Sequence, residues 1–349
     1  MITLTSLLVA CAPAAELVEI ERRVAVMGTN LEVRLAAGER MAGLRASERA
    51  LRALEETERR LSTWLADSEL ARLNAAALGV PHALSEALAA DLGAAAAWSR
   101  ATGGAFDPTV GSLVAAWDLR GPGRVPSPAE LRGALAACGL DGLRLDGGDA
   151  TRLREGLALE EGGFGKGIGL DAALATLADC DVRNVLLDLG GQIALAAWSE
   201  PVPLAVADPR ERGRPCLELS LRSGSVATSG NGERGLDAGG RPIGHLLDPR
   251  TGRPAPDFGS LTVVARDAIA ADCLSTGLFV LGPEAALAFA LERDGIEVLV
   301  LEPAGGGLRA RATPGLRARL RPLIEAVTLE FVAAATSTTP SPQADSLER

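Results

Sequence analysis

The sequence predicts an α+β protein, and three observations carry that prediction. Strand-like runs and amphipathic helical runs both occur, and they succeed one another without the regular βαβ rhythm of a doubly wound sheet. At 349 residues, 47% of them apolar, the chain can bury a sizeable core as one large domain or two tightly joined ones. Helix boundaries carry capping chemistry, clearest at Ser127-Pro128-Ala129-Glu130, with a serine N-cap, proline in the first turn and glutamate at the capping-box position.

Val24 to Leu35 alternates as a strand interrupted at Met27-Gly28-Thr29. An amphipathic helix follows from about Met41 to Arg60, with Leu44, Leu51, Leu54 and Leu61 recurring at helical spacing. Ser85 to Ala101 forms a second helix, stopped by Gly103 and Gly104, and Ser127 opens a third. Beyond it, short strands between glycine turns are expected at Asn184–Leu189, Val202–Ala207, Leu217–Leu221 and Leu261–Ala265. Helices at about Asp267–Leu281 and Pro283–Arg293 precede a strand at Ile296–Leu301. There is no internal repeat, and the polar, Pro/Ser-rich tail from Ala333 is expected to be disordered.

A formal charge of −10, with arginines scattered among glutamates, excludes a nucleic-acid-binding face. Lys166 is the single lysine, and lysine and arginine are not interchangeable at a tight site. The five cysteines (11, 138, 180, 216 and 273) make no CxxC or Cys/His cluster, and the last four sit in apolar surroundings as small core residues. The histidines are His82 and His245. Near the N-terminus, Leu8-Val9-Ala10-Cys11 has the form of a lipobox, although no Lys or Arg precedes it. Either the true start lies upstream or the segment opens a cytoplasmic protein. The expected organisation is therefore a lipoprotein signal and linker at 1–20, a domain at 21–332 and a tail at 333–349. On this reading Cys11 anchors the protein to the periplasmic side of the inner membrane.

Four loops place glycine beside polar groups. Gly103 to Gly111 holds Ala105, Phe106 and Asp107: its glycines allow close backbone approach, Phe106 offers a ring face, and a proline fixes Asp107. A helix C-cap followed by a turn would read the same. Glu160 to Asp171 opens a helix whose backbone N–H groups attract anions, with Lys166 adding a positive charge, but it lacks the Gly-Lys-Ser/Thr ending of a P-loop and, taken alone, reads as plain structure. Ser225 to Asn231 runs into small hydroxyl residues, Thr228 among them, that can bond a ligand or cap a turn. His245 to Pro254 holds a histidine able to take a proton from a hydroxyl, with Asp248 near enough in sequence to orient it. Finally, Asp272 and Thr276 are four apart on an expected helix, so both oxygens share a face and suit a hard cation such as Mg²⁺; a solvent-facing Asp with a back-bonded Thr would look the same.

Taken in order, MGTNLEV from Met27, Leu61 to Asn74, TGGAFDPTVG, GKGIGLD, NVLLDLGG, VATSGNGER, HLLDPRTGRP and AADCLSTGLFVLG resemble the ApbE family of FAD:protein FMN transferases. The resemblance runs from Met27 to about Leu301. It implies mixed, largely antiparallel sheets flanked by helices, in an ApbE-like and T-fold-like arrangement. It also implies an enzyme that uses Mg²⁺ to transfer FMN from FAD to a Thr or Ser hydroxyl of an acceptor protein, releasing AMP; family acceptors include subunits of membrane redox complexes. By position, Met27, Trp64, Ala105, Phe106, Asp107, Glu160, Lys166, Thr228 and Leu247 would line the FAD site. Asp272, Thr276 and the Gly163 carbonyl would hold the metal, and His245 would be the base. Two departures stand out: Glu160 replaces the usual Asp, and Trp64 replaces an aromatic that is often tyrosine. An FAD pyrophosphatase and a non-catalytic FAD-binding lipoprotein are the alternatives.

Overall fold

A computed structural model of the protein describes residues 17–231, 236–237 and 242–333. The lipid anchor expected at Cys11, the tail expected after Ala333 and the matched residues Gly232, Glu233 and Arg234 lie outside the described residues.

Nine strands form one sheet in which each strand lies beside the next in chain order. They are β1 (Val18–Val26), β2 (Thr29–Ala37), β3 (Val182–Leu189), β4 (Gln192–Ala196), β5 (Gly224–Ser229), β6 (Ser260–Ala265), β7 (Glu297–Ala304), β8 (Gly307–Ala312) and β9 (Val327–Phe331). Every neighbouring pair is antiparallel except β8 with β9, which is parallel. The alternation read as one interrupted strand is a hairpin. Met27 at φ 52° and Gly28 at φ 69° make a two-residue turn that pairs Val26 with Thr29. Its first strand starts at Val18, ahead of the expected domain boundary at residue 21.

Long insertions hang from this meander. Between β2 and β3 lie α1 (Arg40–Leu61), α2 (Glu69–Ala75), α3 (Glu86–Ala101), α4 (Gly111–Ala116), α5 (Pro128–Ala137) and α6 (Gly165–Leu177), with a small sheet of His82–Ala83, Leu143–Asp146 and Asp149–Arg152. Strands Val202–Asp208 and Glu211–Leu221 separate β4 from β5 and pair with each other, and the second also pairs with Leu320–Pro322. Helices α7 (Ala268–Leu281) and α8 (Pro283–Leu291) separate β6 from β7.

The nine-stranded sheet is covered on both faces, which explains why its central strands read as continuous apolar runs. Side chains alternate along β3: Val185, Leu187 and Leu189 pack under Leu51, Leu54 and Leu170 of α1 and α6, while Leu186 faces Leu204 and Leu217 of the three-stranded sheet. Likewise Leu261 and Val263 meet Leu274, Leu278 and Leu287 of α7 and α8, whereas Val264 joins the opposite cluster.

The expected helices recur within a residue or two of their bounds. The capping box forms on α5: the Glu130 N–H donates to Ser127 Oγ at 3.3 Å and the Ser127 N–H to Glu130 Oε2 at 2.7 Å. Those bonds to Ser127 hold the Glu130 carboxyl down at about 2. Cys138, Cys216 and Cys273 are buried as expected, but Cys180 is only half-buried, its sulfur accepting a bond from the Arg49 guanidinium at 3.3 Å. No described helix is long and apolar enough to cross a membrane.

Candidate functional site

Met27, Trp64, Ala105, Phe106, Asp107, Glu160, Gly163, Lys166, Thr228, His245, Leu247, Asp272 and Thr276 all line one cavity of about 650 Å³. They arrive from the β1–β2 turn, the segment after α1, the loop after α3, the start of α6, the end of β5, the loop before β6 and the middle of α7. The second histidine is elsewhere: His82 lies in a two-residue strand beside Ala150.

The floor is built where α6 crosses α7. A Cβ on Gly167 would stand 2.5 Å from the Ala268 carbonyl oxygen and 2.6 Å from Ile269 Cα, so only glycine lets the two helix starts meet this closely. Each helix then caps the other. Asp171 of α6 accepts the Ala268 and Ile269 N–H groups at 2.7 and 2.9 Å, supplying the N-terminal cap that α7's own Asp267 does not. Asp272 of α7 accepts the Gly167 N–H at 2.9 Å and the Lys166 ammonium at 3.3 Å. Burial pushes the Asp171 carboxyl above its ordinary value, with the two N–H donors acting against it. Gly165, Gly167 and Gly169 are therefore helical, in the helix expected to open here, and Gly167 is used for close packing. Gly169 works the same way, since a Cβ there would stand 2.8 Å from Leu54 Cδ2 and 2.9 Å from Met27 Sδ.

Asp272, Thr276 and Gly163 offer a carboxylate, a hydroxyl and a carbonyl. A Cβ on Gly163 would lie 3.3 Å from Thr276 Oγ1, so the hydroxyl sits against that turn, Glu161–Gly163. These oxygens suit a hard divalent cation. Among the described residues no cluster of three or more His, Cys, Asp or Glu side chains could hold a metal ion, so this set depends on the hydroxyl and the backbone oxygen.

Phe106 departs from expectation. It is 3% exposed, wedged against Gly163 and Gly277 and edge-on to Phe164 at 6.5 Å, so its ring is part of the core. The exposed ring at the cavity mouth is Trp64, at 63%. Asp107 is also anchored inward, accepting the Thr109 N–H at 2.8 Å and hydroxyl at 2.6 Å, and burial raises its carboxyl. Thr228 shares its hydroxyl with Thr262 across the sheet at 2.8 Å, and Ser229 donates to Ser275 at 3.0 Å.

His245 precedes a tight hairpin, Leu247–Asp248 against Arg253–Pro254. Asp248 turns both carboxylate oxygens to Arg250, at 2.9 and 3.0 Å, and accepts the Arg250 N–H at 2.9 Å. It therefore staples the turn instead of taking the histidine-orienting place the sequence allowed it. Gly252 closes the turn at φ 69°, and its carbonyl receives the Trp117 indole N–H at 2.7 Å. Leu247 is buried with Leu113, Trp117 and Leu119, so the helical insertion grips the loop that carries His245.

Arg120 is among the lining residues that the sequence did not single out. Arg120 lies 4.6 Å from the centroid of the Trp64 ring and pairs with Glu160. In a chain whose cations are nearly all arginine, no residue-type signal sets Arg120 apart.

The ApbE family model matches residues 27–300. The chain belongs to the ApbE family. It is 32% identical over 342 residues to the FAD:protein FMN transferase of Treponema pallidum, covering 92% of this chain and 94% of the relative. It is 29% identical over 321 residues to the protein of the same name from Vibrio cholerae, covering 89% and 95%. Among solved structures, the flavin transferase ApbE from Vibrio cholerae superimposes with a TM-score of 0.73 at 26% identity, over 87% of this chain and all of that one. The ApbE protein from Thermotoga maritima superimposes at 0.75 and 29% identity, over 81% and 94%. The α+β fold with its largely antiparallel sheets is thus the ApbE fold.

Proposed function

We propose that this ApbE-family chain is a transferase that moves the FMN moiety of FAD onto a Thr or Ser hydroxyl of an acceptor protein, releasing AMP, with Mg²⁺ required. The observation that carries the proposal is convergence: candidates spread from Met27 to Thr276 meet at one cavity whose volume suits a nucleotide-sized ligand. In the reaction the acceptor oxygen bonds to the FMN-side phosphorus and the phosphoanhydride bond breaks. AMP departs with the bridging oxygen. His245 takes the hydroxyl proton, and Lys166 offers its charge to the phosphates.

The cavity's charge argues for a metal. Among the described residues its wall holds Glu58, Asp107, Glu160, Glu161 and Asp272 against Lys166 and Arg120, five formal negatives to two positives. A pyrophosphate entering so acidic a pocket needs a further cation. Asp272, Thr276 and the Gly163 carbonyl would hold Mg²⁺, which would supply Lewis-acid stabilisation of phosphate charge.

The test is to incubate the chain with FAD, Mg²⁺ and an acceptor domain carrying a flavinylation threonine, and to weigh the acceptor. Added FMN that depends on both FAD and Mg²⁺, with AMP released, is expected. Release of FMN and AMP with an unmodified acceptor would instead make the chain an FAD pyrophosphatase, and intact bound FAD would make it a binding protein. We further propose a lipid anchor at Cys11 on the periplasmic side of the inner membrane, near redox-complex acceptors, on the strength of Leu8-Val9-Ala10-Cys11. Fatty-acid labelling lost in Cys11→Ser is the expected result.

A further inference from the structure

Trp64 is exposed yet held with unusual care. Arg120 donates through Nη1 to the Thr63 carbonyl at 3.2 Å, and through Nη2 to the Thr63 hydroxyl and the Glu160 carboxylate. From the other side Glu161 accepts the Thr63 N–H at 3.0 Å and the Thr63 hydroxyl at 2.5 Å. The Trp64 N–H itself donates to Ser62 Oγ at 3.3 Å. Side chains from two segments remote in sequence thus fix the backbone just before a tryptophan whose indole stays 63% exposed at the cavity rim, with the guanidinium 4.6 Å from its ring centroid.

Large exposed aromatics on a fixed backbone are suited to binding, because the ordering entropy of the ring is lost before the ligand arrives. We infer that Arg120 is a positioning residue for FAD: it holds Trp64 with one ring face against the guanidinium and presents the other to a flat heterocycle of the dinucleotide. A cation on one face of an indole is attracted by the ring quadrupole, which restrains the rotamer without covering the opposite face. The role needs the planar fork, which bonds Thr63 and Glu160 while lying near the ring. Lysine retains the charge and loses that geometry. The inference rests on the cavity being the FAD site.

The experiment measures FAD affinity by calorimetry, and KM and kcat of transfer with Mg²⁺ present, for the full chain and for Arg120→Ala, Arg120→Lys, Trp64→Ala and the Arg120→Ala/Trp64→Ala double variant. Both Arg120 variants should weaken FAD binding and raise KM roughly tenfold, with kcat at saturating FAD within about twofold. The double variant should bind no worse than Trp64→Ala alone, because Arg120 acts through the ring. Competition with FMN and with AMP as separate probes shows which heterocycle stacks: the one that loses affinity in Arg120→Ala. An unchanged KM, a loss in kcat alone, or a full additive penalty in the double variant would overturn the inference, as would full rescue by lysine. Should Arg120→Ala not fold, Arg120→Lys and Trp64→Ala carry the comparison. If the wild-type chain binds no FAD at all, the reading of the cavity fails with it. If wild type binds FAD and both Arg120 variants bind it equally well, only the role of Arg120 fails.

Discussion

Leu246 and Leu247 are both buried, and they sink the chain beside His245 into the cavity wall while the imidazole itself stays half-buried. A base held this way can meet an incoming hydroxyl without the loop having to fold around it. His245→Ala should therefore lower the transfer rate by roughly 10²- to 10⁴-fold while leaving FAD affinity within a few-fold of wild type. Acceptor mass against time, with calorimetry for FAD, checks both halves, and full transfer by the variant would remove the base assignment. At this scale the sequence disclosed residue types better than residue company. A histidine beside Asp-Pro-Arg-Thr-Gly was visible, but Asp248 turns to Arg250, a pairing that depends on turn geometry. Phe106 and Trp64 were equally plausible ring faces in one dimension. Only packing against Gly163 and Gly277 separates the buried ring from the exposed one.

Between α6 and α7 the site depends on two helix starts held in contact. Gly167→Ala would drive a methyl into the Ala268 carbonyl and Ile269 Cα, and neither is a flexible side-chain end that can swing away. Overpacking of this kind costs about 1–3 kcal/mol. Because the same shift moves Asp272 off the Gly167 N–H, the variant should lose both melting temperature and Mg²⁺-dependent transfer. A variant that keeps wild-type stability would show that the helices are not fixed by this contact. Asp171 gives a pH-dependent counterpart. Its carboxyl is raised in the folded state, chiefly by burial, so the folded protein binds its proton more tightly than the unfolded chain does. The stability it contributes is full below the ordinary value of 3.8 and declines as pH rises through the raised value. Asp171→Asn removes that titration, so its deficit relative to wild type should be larger at pH 4.5 than at pH 7.5 in urea melts. A deficit that grows toward pH 7.5 would show that the two N–H donors outweigh burial. The helices were legible from their periodicity, the one opening in the glycine run included, but its contact with α7 was not, because close helix packing and an anion-binding helix start draw on the same residue.

Over the whole molecule, a meander of nine strands carries its functional loops as insertions, and this sets what could be read in advance. Strands buried on both faces announced themselves as apolar runs. The β7–β8 hairpin through Gly305 and Gly306 and the parallel addition of β9 did not, since they depend on pairing across distance. The same architecture gathers acid from remote segments into one cavity: Glu58 from α1, Asp107 from the loop after α3, Glu160 and Glu161 from the turn before α6, and Asp272 from α7. In a chain already at −10, these groups surround the site for a ligand whose pyrophosphate is itself anionic. FAD and Mg²⁺ should therefore bind as linked ligands, each weak without the other. A ligand at a hundred times its dissociation constant stabilises the folded state by about 2.7 kcal/mol, which for a domain of this size raises the melting temperature by roughly 5 °C. That rise should appear with FAD and Mg²⁺ together, and only a small fraction of it with FAD in chelator. Asp272→Asn should abolish the Mg²⁺-dependent part, because the amide carries no charge for a hard cation. An equal shift with FAD in chelator would mean that the pyrophosphate is balanced without a metal, and the requirement for a metal in binding would fall.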